Sequence, residues 1–148
     1  MKTGDICKRQ VVVARRSTPL TEVAQLMRKN HVGSVVILEE GEARLPIGIV
    51  TDRDITVQVV APGLDARTMT AGDVMTVSPA VARREDDALW ALKIMRDRGI
   101  RRLPVVDDAG ALAGIVSLDD LMEHVGGALG DIVQALGTER SVENWRRA

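Results

Sequence analysis

The sequence repeats itself once, and this duplication constrains the fold more than any other feature. A shift of 68 residues places residues 4–7 (Gly-Asp-Ile-Cys) on residues 72–75 (Gly-Asp-Val-Met). A shift of 66 residues places residues 48–51 (Gly-Ile-Val-Thr) on residues 114–117 (Gly-Ile-Val-Ser). The shift changes within residues 37–48, so the first copy has a loop two residues longer, and loops accept such changes. We therefore expect two similar units in one chain.

Each copy predicts the element order β-α-β-β-α. Apolar residues recur at helical spacing on one face, and short apolar runs bounded by turn residues indicate strands. The expected helix faces are Leu20, Val23, Ala24 and Met27 in the first copy and Ala88, Ala91, Leu92 and Met95 in the second. Strands of the first copy are expected at residues 11–13, 35–38 and 47–50. The closing helices are expected to start near Asp52 and Leu118.

One copy has about 57 residues, too few to be comfortably stable alone. The two copies are therefore expected to pack through their sheets as a pseudo-twofold pair of α/β (α+β) class. We expect the first repeat at residues 1–63, the second at 64–126 and a helical C-terminal extension at 127–148. The glycine-rich segment at residues 126–131 predicts a helix boundary near the start of that extension.

The composition argues against several functional classes. The 20 Lys and Arg side chains nearly balance 21 Asp and Glu side chains, whereas nucleic-acid binders usually carry a basic excess. Two tryptophans are the sole aromatic residues, too few for base stacking. Cys7 is the single cysteine, which excludes an intramolecular disulfide and a cysteine-rich metal site. Without a signal-peptide pattern or an apolar run of about 20 residues, we expect a cytoplasmic protein with no membrane partner.

Two matched motifs carry a resemblance to a known family. Residues 48–54 (Gly-Ile-Val-Thr-Asp-Arg-Asp) and 114–120 (Gly-Ile-Val-Ser-Leu-Asp-Asp) fit the Gly-apolar-apolar-Thr/Ser-x-x-Asp signature of the CBS domain, named after cystathionine β-synthase. Residues 99–107 are similar to the central strand of that family. The chain thus resembles a stand-alone tandem CBS pair. The resemblance implies binding of AMP, ADP or ATP, or of S-adenosylmethionine, in clefts between the repeats, with Mg²⁺ only beside ATP.

The resemblance assigns nucleotide binding to Thr51, Asp54, Ser117 and Asp120, and the chemistry of these residues agrees. A carboxylate accepts two hydrogen bonds, so Asp54 or Asp120 can hold both hydroxyls of a ribose. A hydroxyl three residues earlier lies at a helix N-terminus, where free N–H groups attract phosphate. The alternative is that Thr51 and Ser117 only cap helices whose first turn favours an acidic residue.

Further candidates surround these motifs. Arg53 is suited to a phosphate, but its counterpart is the acidic Asp119, which indicates unequal sites or a single occupied site. Arg101 and Arg102 are weaker candidates, because their counterparts are Gly33 and Ser34 and surface arginines are usually solvated. An adenine ring needs an apolar slot, and the candidate lining residues, which are equally candidates for the core, are Val13, Ala14, Val35, Ala82 and Leu103.

The sequence favours a regulatory module over an enzyme. We recognise no nucleophile–base pair and no metal cluster, so we expect no catalysis and no required cofactor or metal. The leading hypothesis is a homodimeric sensor of adenine nucleotides that acts on an unidentified protein partner. The helices containing Leu20 and Ala88, together with Trp90, are the candidate dimer surface. The alternative is a structural or protein-interaction dimer whose nucleotide sites are vestigial.

Overall fold

A computed structural model of the chain describes residues 1–147, except for the side chains of residues 140, 143, 144 and 147. The helices are α1 Thr3–Ile6, α2 Leu20–Asn30, α3 Asp52–Ile55, α4 Ala71–Val74, α5 Ala88–Arg98 and α6 Leu118–Arg147. A π-helical turn, Thr56–Val60, continues α3, and a 3₁₀ turn spans Ala66–Thr68. The strands are β1 Val13–Arg15, β2 Ser34–Leu38, β3 Pro46–Thr51, β4 Thr76–Val77, β5 Ala82–Arg83, β6 Arg102–Val106 and β7 Leu112–Ser117.

The predicted β-α-β-β-α order is confirmed in both copies. One sheet has the order β1-β2-β3-β4 and the other the order β5-β6-β7. In each sheet the first two strands are parallel and the next pair is antiparallel, with the same register irregularity in both. The first strand starts at Val13 rather than Val11, and both closing helices start where expected, at Asp52 and Leu118.

Each copy has its own apolar core. The predicted apolar faces of α2 and α5 pack in these cores, with the exception of one residue. Leu20, Val23 and Met27 of α2 are buried, but Ala24 is exposed. In the second copy the buried residues of α5 are Ala88, Ala91 and Met95, and Leu92 is half-buried. Leu26 packs against this core and Ala24 does not, so the packed face of α2 is turned away from Ala24.

A third apolar layer joins the two sheets. Val36 and Leu38 of β2 and Leu112 of β7 are buried together, with Val13 and Ile115 packed against them. All five residues of β2 are buried, because one face of the strand covers its own core and the other face covers this layer. The expected packing of the two repeats through their sheets is therefore confirmed.

The beginning of each repeat packs in the core of the other repeat. Ala71, Val74 and Met75 start the second copy but lie in the core of the first, and Ile6 and Cys7 lie against the core of the second. β4 extends the first sheet by pairing with β3, and Lys8 pairs with Ile115 of β7 in the matching position. The repeats are consequently interleaved in space rather than consecutive.

The last helix is longer than the sequence indicates. α6 runs unbroken for 30 residues, through Gly126, Gly127 and Gly130, so the predicted helix boundary at 126–131 is wrong. Its first turns pack against α5 and β7, and every described side chain from Met122 onward is exposed. Within the described residues, no helix combines the length and apolar character needed to cross a membrane.

Gly114 is expected to be essential to the interleaved packing. A Cβ atom there would lie 2.6 Å from Cys7 Sγ and 2.9 Å from the carbonyl oxygen of Lys8, and a backbone atom cannot step aside. Gly114→Ala should therefore lower the free energy of unfolding by about 1–3 kcal/mol in urea titrations. Gly127→Ala is the control, because nothing lies within 4 Å of the added methyl group, and it should gain about 0.5–1 kcal/mol. Equal stability of the two variants would contradict this packing.

Candidate functional site

Thr51 and Asp54 form a reciprocal capping box where β3 ends and α3 begins. The backbone N–H of Asp54 donates to Thr51 Oγ1 at 3.1 Å, and the backbone N–H of Thr51 donates to Asp54 Oδ2 at 2.9 Å. Among the described residues, no donor contacts Asp54 Oδ1. The pair is therefore fixed in orientation while one carboxylate oxygen stays available to a ligand.

Ser117 and Asp120 repeat this arrangement at the start of α6, but with more partners. The backbone N–H and the hydroxyl of Ser117 both donate to Asp120 Oδ2, at 2.8 and 2.5 Å, and the N–H of Asp120 donates to Ser117 Oγ at 3.1 Å. Lys8 Nζ lies 3.0 Å from Asp120 Oδ1, so both oxygens of this carboxylate are occupied by the chain itself.

The surroundings of Asp120 stabilise its ionised form. Burial alone raises the pKa of this carboxyl group, whose side chain is only 10% exposed. The hydrogen bonds from Ser117 and the ammonium group of Lys8 outweigh burial, so the pKa of Asp120 lies below its ordinary value. The carboxylate is consequently charged throughout the neutral range.

The two capping boxes differ because their neighbours differ. Lys8 corresponds to Thr76 at a shift of 68 residues, so no ammonium group reaches Asp54 from the matching position. Asp119 lies 3.5 Å from Arg101, both exposed, whereas its counterpart Arg53 is exposed with no side-chain bond to another described residue. The sequence predicts unequal sites from Arg53 against Asp119 and from Arg101 and Arg102 against Gly33 and Ser34, and the difference at Lys8 adds to these.

Arg102 reaches from the second repeat towards the first box. A Cβ atom on Gly33 would lie 3.1 Å from Asp52 Oδ2 and 3.2 Å from Arg102 Nη2. Both charged groups therefore lie beside Gly33, and the carbonyl oxygen of Gly33 accepts a hydrogen bond from the backbone N–H of Asp52. The absence of a side chain on Gly33 leaves the space in which the guanidinium lies. Groups from both repeats therefore meet beside α3.

The five residues considered for an adenine slot lie in three different places. Ala14 and Val35 belong to the first core, Ala82 and Leu103 belong to the second core, and Val13 packs in the layer between the sheets. Val35, Ala82 and Leu103 have no exposed surface. The side chains of these three residues pack inside the cores of the repeats. Val13 is the one among the five that is half-exposed.

Other candidates lie away from the boxes. Burial raises the pKa of the Cys7 thiol, which packs under Gly114 as an apolar group. A groove of about 500 Å³ lies between α5 and the start of α6 and includes neither box. A smaller depression, about 380 Å³, lies along α6 beside Asp120. We give the boxes more weight than the larger groove, because their hydrogen-bonding groups converge and the lining of the groove is mainly apolar.

The duplicated sequence, the interleaved sheets and the paired boxes agree with one family. The sequence model of the CBS domain matches residues 4–60 and again residues 71–127. The chain belongs to the CBS domain family, as a tandem pair. An uncharacterized protein of Methanopyrus kandleri is 39% identical over 124 residues, which cover 83% of this chain and 62% of that protein. The chain therefore spans less than two thirds of that relative.

For two further relatives, the match includes a larger share of the relative's own chain. Hypoxic response protein 1 of Mycobacterium tuberculosis is 33% identical over 121 residues, which cover 82% of each chain. A CBS domain protein from Pyrobaculum aerophilum, solved in complex with AMP, superposes with a TM-score of 0.75 at 30% identity. That match covers 81% of this chain and 89% of the other. The solved fold confirms the expected α/β pair.

Lys8 is the site residue that the sequence analysis missed. It lies far from Asp120 in sequence, and only the exchange of the N-terminal segment brings the two together. One signal was present: a shift of 68 residues pairs Lys8 with Thr76, so a charge exists in one copy only. Sequence alone could not have shown which carboxylate that charge contacts.

The depressed pKa of Asp120 predicts a pH-dependent contribution to stability. A carboxyl group whose folded pKa is lowered stabilises the fold above its unfolded pKa, about 3.9, and loses that effect as the pH falls through the folded value. Asp120→Asn should therefore lower the free energy of unfolding by about 1–2 kcal/mol at pH 7, and the difference from the parent should shrink below about pH 4. Urea unfolding at several pH values measures this.

Asp108→Asn is the matched control, since Asp108 is exposed and makes no side-chain hydrogen bond within the described part of the chain. It should leave stability nearly unchanged at every pH. A gap between Asp120→Asn and the parent that stays constant down to pH 3 would contradict the ionic role of Asp120.

Proposed function

We propose that this CBS pair is a regulatory module that binds an adenosine compound, with AMP as the preferred ligand, at the Thr51–Asp54 box. The observation that carries the proposal is the unused oxygen of a carboxylate already held in place by a capping box. Such a group accepts hydroxyl donors without first being reoriented. The AMP complex of the P. aerophilum relative supports the ligand class.

The ribose is proposed to bind Asp54 and the phosphate to bind the nearby arginines. Asp54 Oδ1 accepts from a ribose hydroxyl, and the Thr51 hydroxyl can donate to a ligand oxygen. Arg53 extends from the same helix, and Arg102 lies beside Gly33 from the other repeat. Arginine suits phosphate because its planar N–H groups match the phosphate oxygens.

A monophosphate fits this charge distribution better than a triphosphate. Two guanidinium groups lie near the box, but Asp52 lies beside the same glycine as Arg102 and offsets part of their charge. A triphosphate would need a further cation such as Mg²⁺. We therefore rank AMP above ADP and ATP. S-Adenosylmethionine, which lacks phosphate, would use the ribose contact alone.

The two sites are proposed to have unequal affinity. At the second site a ribose would have to displace Lys8 from Asp120, and Asp119 would face the ligand where Arg53 does in the first. The ammonium group of Lys8 is largely exposed to solvent, which screens its attraction to Asp120, so Lys8 weakens this site rather than abolishing it. One ligand per chain is the expected occupancy at low concentration.

Regulation is proposed to act through the contact between repeats. A ligand that contacts Asp54 in the first repeat and Arg102 in the second is bound more tightly when the two repeats hold these residues at a distance that the ligand can span. Binding would then shift the population towards this arrangement, which a protein partner can distinguish. A dimer is part of this proposal, as the state in which such a change is transmitted, and no catalytic step is involved.

Asp54→Asn tests the ribose contact while keeping the cap. The amide oxygen of asparagine can still accept the backbone N–H of Thr51, so the fold should persist, but the ionic acceptor is lost. AMP affinity, measured by calorimetric titration, should fall about tenfold or more. Asp73→Asn is the matched control, because Asp73 forms the same box with Thr70 at α4. Unchanged affinity in Asp54→Asn would refute the assignment, and equal losses in both variants would indicate a general effect on folding.

Lys8→Met tests the inequality of the sites. It keeps the aliphatic stem and removes the ammonium group from Asp120, so a second, weaker AMP should bind more tightly than in the parent. Calorimetric stoichiometry should rise from one ligand per chain towards two. Lys29→Met, at an exposed lysine of α2, should leave the titration unchanged. Two equal ligands per parent chain would contradict the role of Lys8.

A nucleotide-independent interaction module is the second candidate, and one observation favours it. A long apolar surface is exposed on α6, as expected of a chain whose main task is to bind another protein. Under that reading no adenine compound should raise the melting temperature of the chain. A thermal-shift panel of AMP, ADP, ATP and S-adenosylmethionine separates the two candidates.

A further inference from the structure

The six residues that follow the first capping box have an unusual composition for a helix. Residues 55–60 are Ile-Thr-Val-Gln-Val-Val, so five of the six are branched at Cβ. The matched residues of the second repeat, 121–126, are Leu-Met-Glu-His-Val-Gly and include one such residue. Branching at Cβ restricts the side-chain rotamers in a helix and favours a strand. The first repeat therefore forms its closing helix from a sequence that disfavours helices.

The backbone of this stretch also departs from a regular α-helix. We call residues 52–60 the α3 segment, which comprises α3 and the π-helical turn. The N–H of Ala61 donates to the carbonyl oxygen of Thr56, and the N–H of Leu64 donates to that of Val59, both at 2.9 Å and both across five residues. Such bonding is rare and occurs mostly at functional sites. The matched residues of the second repeat belong to the unbroken α-helix α6.

Few side-chain contacts hold the α3 segment in place. Val59 is the one buried side chain among residues 56–65, and it lies in the first core, against which the half-buried Ile55 also packs. Val57 and Val60 are 51% and 66% exposed. Regions with few buried apolar contacts open locally at a lower free energy than the core strands. The α3 segment is therefore expected to open while the rest of the first repeat stays folded.

The same segment carries the proposed ligand contacts. Asp54 is oriented by the exchange of backbone hydrogen bonds with Thr51, and this exchange exists only while the first turn of the helix is formed. Arg53 extends from the same turn. A ligand that contacts Asp54 Oδ1 therefore binds the closed form of the segment and not the open form. Such a ligand stabilises the closed form in proportion to its concentration.

We propose that the α3 segment is a conformational switch, which opens locally in the ligand-free protein and is held closed by AMP at the Thr51–Asp54 box. The inference rests on the proposed function and adds the element whose folding reports that the box is occupied. Binding thereby determines whether the outside of the first repeat presents a helical surface at residues 52–60. The second repeat lacks this switch, because its matched residues are part of α6.

Amide hydrogen exchange of the full chain, followed by NMR, tests the switch. The reporters are the N–H groups of Ala61 and Leu64, because their acceptors lie in the π-helical turn. Without ligand they should exchange roughly a hundredfold or more faster than the N–H of Val36 in β2. With AMP at about 100 times its Kd, their exchange should slow by up to about a hundredfold. The N–H of Ala111, in the β6–β7 turn, is the control and should not change.

Calorimetric titration with AMP in the same buffer separates this inference from the proposed function. Absence of AMP binding would refute the proposed function and this inference with it. Binding of AMP without slower exchange at the two reporters would overturn the switch alone. So would reporters that, without ligand, exchange as slowly as the N–H of Val36.

The double variant Val57→Ala and Val60→Ala tests the role of the branched side chains without any ligand. Both valines are exposed, so no core contact is lost, and alanine favours a helix. Ligand-free exchange at the two reporters should slow about five- to tenfold. The matched control is Val125→Ala with Val133→Ala, at exposed positions of α6, and it should leave the reporters unchanged. Equal exchange in the parent and in the Val57 and Val60 variant would contradict the proposed opening.

Discussion

The structure depends on an exchange in which the beginning of each repeat completes the core of the other. Met75 fills the space above Gly48, and Cys7 fills the space above Gly114, at distances that admit no side chain on either glycine. Neither repeat of about 57 residues has a complete core without the segment that the other supplies. The layer of Val36, Leu38 and Leu112 between the sheets adds to this dependence. Folding of the two repeats is therefore coupled.

The same exchange makes the two capping boxes unequal. Each exchanged segment runs beside the strand that ends at a box: Lys8 pairs with Ile115 of β7, and Thr76 pairs with Ile49 of β3. One segment brings an ammonium group to the neighbouring carboxylate and the other brings a short hydroxyl. The duplication preserved the backbone arrangement. The difference between Lys8 and Thr76 in the exchanged segments determines whether the carboxylate of each box keeps an oxygen without a hydrogen-bond donor.

α6 shows where reasoning from local sequence succeeds and where it fails. Its apolar spacing was visible in the sequence, and so was its start at Leu118. The glycines at 126–131 predicted a boundary that does not exist, because a helix whose first turn is held by packing can propagate through residues of low helix propensity. The prediction for Ala24 was also wrong, because apolar spacing predicted a buried residue. Ala24 lies outside the area where α2 meets its sheet.

The sequence by itself determined the duplication, the order of elements and the Thr51–Asp54 and Ser117–Asp120 pairs, because apolar spacing and capping are local properties of the chain. Only the tertiary structure decided that the N-terminal segments are exchanged and that Lys8 reaches Asp120. It also decided that Arg102 lies beside Gly33 and that Val35, Ala82 and Leu103 are sealed in the cores. These are contacts between residues distant in sequence. They depend on how two sheets pack, and the spacing of residues along one element contains no information about that packing.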